Sequence, residues 1–154
     1  MAGRVLQINL SRGGVPKLPV PEATVRESGI EGDGHNEPLT VHGGPERAVC
    51  LFSAERIAAL AAEGHPIAPG ATGENITTEG IDWDTVTPGR QLRIGDEVVL
   101  EVTRYTTPCT TIRASFKDRD SNRIHQNLHP GWSRVYARVL SGGVIRPGDP
   151  IELE

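Results

Sequence analysis

Two stretches in the second half of the chain alternate between apolar and polar side chains. Residues 98–103 and residues 135–139 each place an apolar side chain at every second position. Because successive side chains of a strand point to opposite faces, this period predicts two half-buried β-strands. A Gly-Asp pair occurs at 95–96, before the first of these strands, and again at 148–149, before a run at 150–153. The repeat predicts two turn–strand units.

The first half of the chain predicts fewer regular elements. A short strand is expected over 4–10, and the breaker cluster 11–14 ends it. The segment 16–45 is rich in proline and glycine and predicts a long loop. The apolar run 47–52 has strand length, and Ser53 offers an N-cap to a helix over 54–63 that ends at Gly64.

These patterns predict a mainly β fold with one clear helix. Several short strands favour a closed or nearly closed barrel, because closure removes exposed strand edges. The 18 glycines and 12 prolines fit short elements joined by tight turns. A length of 154 residues fits a single domain over 1–154 that buries its own core.

Charge and hydropathy narrow the function classes. Sixteen basic and 20 acidic side chains give a net charge of −4, which gives little support to binding of a phosphate backbone, so no nucleic-acid partner is expected. The N-terminus lacks the apolar core of a signal peptide, and no stretch reaches the roughly 20 apolar residues of a membrane span. We therefore expect a cytoplasmic protein without a membrane partner.

The two cysteines differ in their surroundings. Cys109 follows Pro108 just after the predicted strand that begins at 98, with threonines on both sides. A thiolate there could act as a nucleophile or as a soft metal ligand, while the alternative is a partly exposed, inert thiol. Cys50 lies between apolar residues, and this context favours a small side chain of the core.

Two further segments collect polar groups. The loop that contains 32–35 and 42–47 holds histidines, glycines and an arginine, which could bind an anion or move a proton. A solvated loop explains the same residues, and the histidine spacing matches no zinc pattern. The segment 71–77 could form a polar ring around a heterocycle through Glu74 and Asn75, or simply a polar turn that opens a strand.

Taken in order, these segments resemble the stand-alone MOSC domain family, named after the C-terminal domain of molybdenum cofactor sulfurases. The chain is also similar to bacterial proteins that confer resistance to N-hydroxylated purine analogues. The resemblance rests on Gly32-Asp33-Gly34-His35, His42-Gly43-Gly44-Pro45-Glu46-Arg47-Ala48-Val49, Gly73-Glu74-Asn75-Ile76-Thr77, Ile94-Gly95-Asp96, Pro108-Cys109 and Arg138-Val139-Leu140-Ser141-Gly142-Gly143.

The resemblance implies a MOSC-type β-barrel with mixed strands and a few short helices. It implies that Cys109 is a molybdenum ligand or a sulfur carrier, and that other residues bind the pterin and phosphate of a molybdenum cofactor (molybdopterin). Those cofactor-binding residues are His35, His42, Gly43, Arg47, Gly73, Glu74 and Asn75. Pyridoxal phosphate is not expected to bind, because the chain has no desulfurase domain.

Three functions follow as alternatives. The first is reduction of N-hydroxylated bases or related compounds at a Cys109-ligated molybdenum, with electrons from a separate redox protein. The second is a sulfur-carrier module in which Cys109 holds a persulfide received from a cysteine desulfurase. The third is a domain that binds a pterin or an anion without catalysis.

Overall fold

A closed barrel of seven strands forms the body of the molecule. The structure is a computed structural model, and it describes residues 3–34 and 45–154. The strands within that part of the chain are β1 (Gly3–Leu10), β2 (Leu18–Val20), β3 (Ala23–Arg26), β4 (Gly29–Ile30), β5 (Val49–Ser53), β6 (Ile76–Glu79), β7 (Gln91–Ile94), β8 (Val98–Tyr105), β9 (Val135–Ser141), β10 (Gly143–Ile145) and β11 (Pro150–Leu153).

The barrel contains both strand directions. Its order is β11-β7-β8-β9-β5-β6-β1, and pairing of β1 with β11 closes the ring. The neighbours pair antiparallel except β5 and β6, which run parallel. Outside the ring, β2 pairs with β1, and β10, β3 and β4 form a second small sheet. The predicted mainly β fold, with a barrel of mixed strands, is confirmed.

One α-helix, α1 (Ala54–Ala62), connects the parallel strands β5 and β6. Ser53 Oγ accepts a hydrogen bond from the N–H of Arg56 at 3.1 Å, as the N-cap prediction required. Ile57 and Leu60 are buried and face the barrel. The chain leaves the helix at Gly64, whose φ of +100° favours glycine. Four 3₁₀ segments cover Pro45–Arg47, Trp83–Thr85, Thr110–Ser115 and Ser121–Ile124.

The two predicted turn–strand units are present and meet through β7. The turn at Gly95 joins β7 to β8, and the turn at Gly148 leads into β11, which pairs with β7. Gly95 and Gly148 have φ of +63° and +93°. Asp149 Oδ2 accepts the N–H of Arg146 at 2.8 Å, and the N–H of Asp149 donates to the carbonyl oxygen of Arg146 at 3.1 Å, which closes a β-turn over 146–149.

The predicted long loop over 16–45 is wrong for residues 18–30. This stretch contains β2, β3 and β4, which are only two to four residues long. Strands this short contain too few positions to show an alternation, and pairing with β1 and β10 stabilises them. Residues 35–44 of the predicted loop lie outside the described part of the chain.

The core is one continuous cluster inside the ring, with large buried side chains such as Phe52, Leu100 and Ile151. Within the described ranges, every helix is too short or too polar to traverse a bilayer.

Candidate functional site: a thiol pocket beside β5

A pocket opens beside β5, where the segments that follow β1 and β8 meet the loop before β6. Its volume is about 110 Å³, enough for a few water molecules or for the polar end of a small ligand. Six separate segments meet there, and the described residues that line it are Gly14, Val15, Lys17, Gly34, Arg47, Cys50, Thr72, Gly73, Asn75, Thr106, Thr107, Cys109, Thr111, Ile112, Arg134 and Tyr136. We call this cavity the thiol pocket, because both cysteines border it.

Cys109 lies in the segment that follows β8. Its side chain is half-buried and lines the thiol pocket. The sulfur lies 2.7 Å from Thr111 Oγ1, so the hydroxyl can donate to a thiolate. The sulfur is thus reachable and has a polar neighbour, as a nucleophile or a metal ligand requires.

Cys50 is buried on β5, with 6% of its surface exposed, which confirms the prediction of a buried cysteine. Its sulfur also borders the pocket and lies 3.9 Å from Thr106 Oγ1. Burial raises the pKa of the Cys50 thiol, and the guanidinium of Arg134 offsets part of that rise. Cys50 is therefore a protonated thiol at neutral pH.

One wall of the pocket is fixed by a buried ion pair. Lys17 Nζ lies 2.6 Å from Asp33 Oδ2, and both side chains are almost fully buried. Asp33 also accepts the Nδ2 of Asn75 at 2.9 Å and the N–H of Ser11 at 3.1 Å. The other end of the Asn75 amide accepts the N–H of Cys50 at 3.0 Å. The network connects three segments and holds Asn75 rigidly beside the thiols.

Arg134 brings a positive charge into the pocket from the residue before β9. It is only 6% exposed, and its Nη1 donates to the carbonyl oxygen of Thr72 at 2.6 Å. Within residues 3–34 and 45–154, its buried Nε has no hydrogen-bond partner. Buried donors are nearly always paired, so an unpaired guanidinium nitrogen in a pocket wall suits an anionic ligand.

Tyr136 and Arg47 also line the pocket. The guanidinium carbon of Arg47 lies 5.9 Å from the centroid of the Tyr136 ring, within the range of a cation–π contact. Burial raises the pKa of Tyr136 to about 12, and the nearby cysteines contribute to that rise while Arg134 and Arg47 oppose it. The phenol is therefore neutral at physiological pH and can donate a hydrogen bond.

Glu74 lies behind the pocket wall. It is fully buried and is not among the residues that line the cavity. Its carboxylate accepts hydrogen bonds at 3.0 Å from the N–H of Gly70 and from the hydroxyls of Thr72 and Thr77. Burial raises the pKa of this carboxyl group. In this geometry Glu74 orders the loop before β6, and Thr72 and Asn75 are the side chains from that loop that a ligand would meet.

The other predicted site residues divide into two groups. Arg47, Gly73, Asn75 and Cys109 line the same pocket, although they are far apart in the sequence. His35, His42 and Gly43 lie outside the described residues.

Sequence reasoning did not assign Lys17, Arg134 or Tyr136 to the site. A signal was present for the last two, because they occupy alternate positions at the start of a strand and so face one side. No sequence signal distinguished Lys17 from other lysines in loops. Among the described residues, no cluster of three or more His, Cys, Asp or Glu side chains could hold a metal ion.

Comparison with known proteins identifies relatives across most of the chain. The family model for the MOSC domain matches residues 38–152. The chain is 33% identical over 143 residues to the protein YflK of Bacillus subtilis and covers 62% of that protein. It is 34% identical over 131 residues to a protein of Gibberella moniliformis named a reductase, with 82% of this chain and 22% of that protein covered.

The crystal structure of YiiM from Geobacillus stearothermophilus superposes with a TM-score of 0.78 at 26% identity. The match covers 99% of this chain and 75% of that one. The chain thus spans less than two thirds of the length of the two curated relatives described, YflK and the reductase.

Proposed function

Because this chain belongs to the MOSC domain family, we propose that the thiol pocket binds a molybdenum cofactor with Cys109 as the metal ligand and reduces N-hydroxylated bases or related compounds there. The observation that carries the proposal is the half-buried sulfur of Cys109, which lines a cavity that three cationic side chains also line. Thiolate is a soft ligand that suits a transition metal.

The pocket residues fit the anionic end of such a cofactor. Arg134 has a buried nitrogen without a partner in the described ranges, and Arg47 and Lys17 add two further cations to the lining. Guanidinium groups bind phosphate oxygens through charge-assisted hydrogen bonds. Lys17 is already paired with Asp33, so Arg134 is the principal candidate for the phosphate contact.

When bound, the molybdenum cofactor would supply two-electron redox chemistry at the pocket, and a separate redox protein would supply the electrons. The chain's own residues would hold the cofactor and orient the substrate. Tyr136 remains protonated at neutral pH and can donate a hydrogen bond to an oxygen in the cavity. Cleavage of an N–O bond consumes two electrons and two protons and releases water, so the reaction needs a supply of protons as well as of electrons.

The test compares wild-type protein with Cys109→Ala and Arg134→Gln, all produced in a host that synthesises the cofactor. We expect molybdenum and pterin in the wild type and loss of molybdenum from Cys109→Ala. Arg134→Gln should weaken cofactor retention about 10- to 100-fold, because a hydrogen bond to a charged group contributes about 1.5–3 kcal/mol. Arg138→Gln is the matched control, since Arg138 lies on β9, four residues further along the chain, and pairs with Glu101 instead.

Two results together would reject the proposal. Wild-type protein would contain no molybdenum, and cells with Cys109→Ala would reduce hydroxylaminopurine as well as cells with wild type. A persulfide on Cys109 of metal-free wild type, formed with a cysteine desulfurase and cysteine, would instead support the sulfur-carrier alternative. Retention of pterin and molybdenum by wild type and Cys109→Ala alike, with an unchanged cellular phenotype, would leave only a binding domain.

A further inference from the structure

The thiol pocket contains a second sulfur that the proposed function does not use. Cys50 borders the cavity from β5, and Cys109 borders it from the segment after β8. The strand β9 lies between β5 and β8 in the barrel. The two cysteines therefore approach one cavity from two different segments, although 59 positions separate them in the sequence.

The position of Thr106 limits the distance between the two thiols. Its hydroxyl lies 3.9 Å from the sulfur of Cys50, and Cys109 follows it by three residues. Three residues of extended chain span at most about 10 Å, which limits how far the second thiol can be from the first. Tyr136, the β9 residue directly opposite Cys50, faces the same cavity.

The two thiols differ in access. Cys109 is half-buried and is open to small molecules that enter the pocket, whereas Cys50 is held in a barrel strand with 6% of its surface exposed. The strand of Cys50 pairs with β6 and β9, whereas Cys109 lies between β8 and the 3₁₀ segment Thr110–Ser115, outside any strand pairing. A disulfide requires Cα atoms about 4.4–6.8 Å apart, and Cys109 is the partner whose backbone no strand pairing fixes.

We propose that Cys109 and Cys50 form a reversible modification site in which peroxide oxidises Cys109 first and Cys50 then closes an intramolecular disulfide. In the first step the Cys109 sulfur attacks a peroxide oxygen, an S–O bond forms, the O–O bond breaks and water leaves. In the second step the Cys50 sulfur attacks the sulfur of Cys109. An S–S bond forms, the S–O bond breaks, and hydroxide leaves with the Cys50 proton as water.

Overall, one hydrogen peroxide is reduced to two waters while two thiols are oxidised to one disulfide. The modification withdraws the Cys109 sulfur from metal binding and from sulfur transfer, and a thiol reductant restores it. It also protects Cys109 from irreversible oxidation to the sulfinic acid. This inference does not rest on the proposed function, because the chemistry needs only the two thiols and the oxidant.

The experiment uses wild type, Cys50→Ala and Cys109→Ala, each prepared in a host that makes no molybdenum cofactor. Each protein is treated with hydrogen peroxide, unfolded, alkylated and digested with trypsin. In wild type we expect the peptides 48–56 and 105–113, which contain Cys50 and Cys109, to be joined and to separate on reduction. Cys50→Ala should lose the crosslink and accumulate Cys109 sulfinic acid, and Cys109→Ala should retain an alkylated Cys50.

Wild type in which Cys109 becomes sulfinic acid while Cys50 stays open to alkylation would overturn the inference. So would a crosslink between two Cys109 peptides of different molecules. The wild-type peptide map decides the matter even where a variant folds poorly. Because no cofactor is present, the outcome is independent of whether the chain binds molybdenum.

Discussion

A buried carboxyl group behind the pocket makes the stability of the folded protein depend on pH. It belongs to Glu74, has no contact with water and accepts three hydrogen bonds from its own loop and from β6. Burial penalises the charged form, and its pKa is raised above the usual 4.5 in spite of those bonds. The folded protein therefore holds the proton of Glu74 more tightly than the unfolded chain does.

Glu74→Gln should remove this source of pH dependence. For a carboxyl group with a raised folded-state pKa, the stabilising contribution is complete below the unfolded pKa and is lost as pH rises through the folded pKa. We expect the melting temperature of Glu74→Gln relative to wild type to increase from acidic to mildly alkaline pH. Thermal unfolding of both proteins across that range checks the trend.

Glu74→Ala is the contrasting variant, because it leaves the donors of Gly70, Thr72 and Thr77 without their acceptor. It should destabilise the protein by about 2–4 kcal/mol at acidic pH, and by less as the pH rises through the folded-state pKa of Glu74. A constant offset between Glu74→Gln and wild type at all pH values would show that Glu74 does not titrate differently in the folded state.

Individual site residues could be predicted where local chemistry is distinctive. Cys109 follows a proline and a strong strand, and the structure places it in the pocket. Arg134 and Lys17 could not be assigned there, because burial of a cation depends on partners that are distant in sequence. Glu74 shows the converse, since its acidic side chain in a turn suggested a ligand contact, yet its own loop surrounds it.

At the scale of single elements, capping and turn residues were predictable, whereas the shortest strands were not. The boundaries of α1 follow from Ser53 and Gly64, which act locally. The strands β2 and β4 exist only because a neighbouring strand supplies their hydrogen bonds. A pattern within three residues cannot contain that information.

Ser53→Ala tests the contribution of the helix cap. The substitution removes the acceptor of the Arg56 N–H, which an N-terminal turn otherwise leaves unpaired. We expect a loss of about 1 kcal/mol, or roughly 2–4 °C in melting temperature for a domain of this size. Thermal unfolding measures it, with Ser28→Ala in an exposed turn as the control. An equal change in the two variants would contradict a specific capping role.

At the scale of the whole molecule, stability depends on closure of the ring between its first and last strands. Among the described residues, the β1–β11 pairing joins Gly3 with Ile151 and Arg4 with Pro150. Two backbone hydrogen bonds extend the contact, from Val5 N–H to Asp149 and from Gly148 N–H to Val5. Ile151 is 1% exposed and belongs to the core at this seam.

Ile151→Ala should destabilise the protein by about 2–5 kcal/mol, because it removes a buried side chain and leaves a cavity at the seam. Denaturant titration gives the free energy of unfolding. The exposed neighbour Glu152→Ala serves as the control and should stay within about 0.5 kcal/mol of wild type. A small effect of Ile151→Ala would mean that the ring does not need this contact.

The parallel pairing of β5 with β6 has a consequence for where chemistry can be placed. In a barrel built only from hairpins, consecutive strands begin at opposite ends of the barrel. The first residues of two such neighbouring strands therefore lie at opposite ends. The connection through α1 is an exception, because it returns the chain to the end of the barrel at which β5 begins. The strand β6 therefore begins at the same end as β5. Cys50 and Asn75, near the entries of these two strands, consequently become direct neighbours. An all-antiparallel ring of the same sequence length would have separated them by the full height of the barrel.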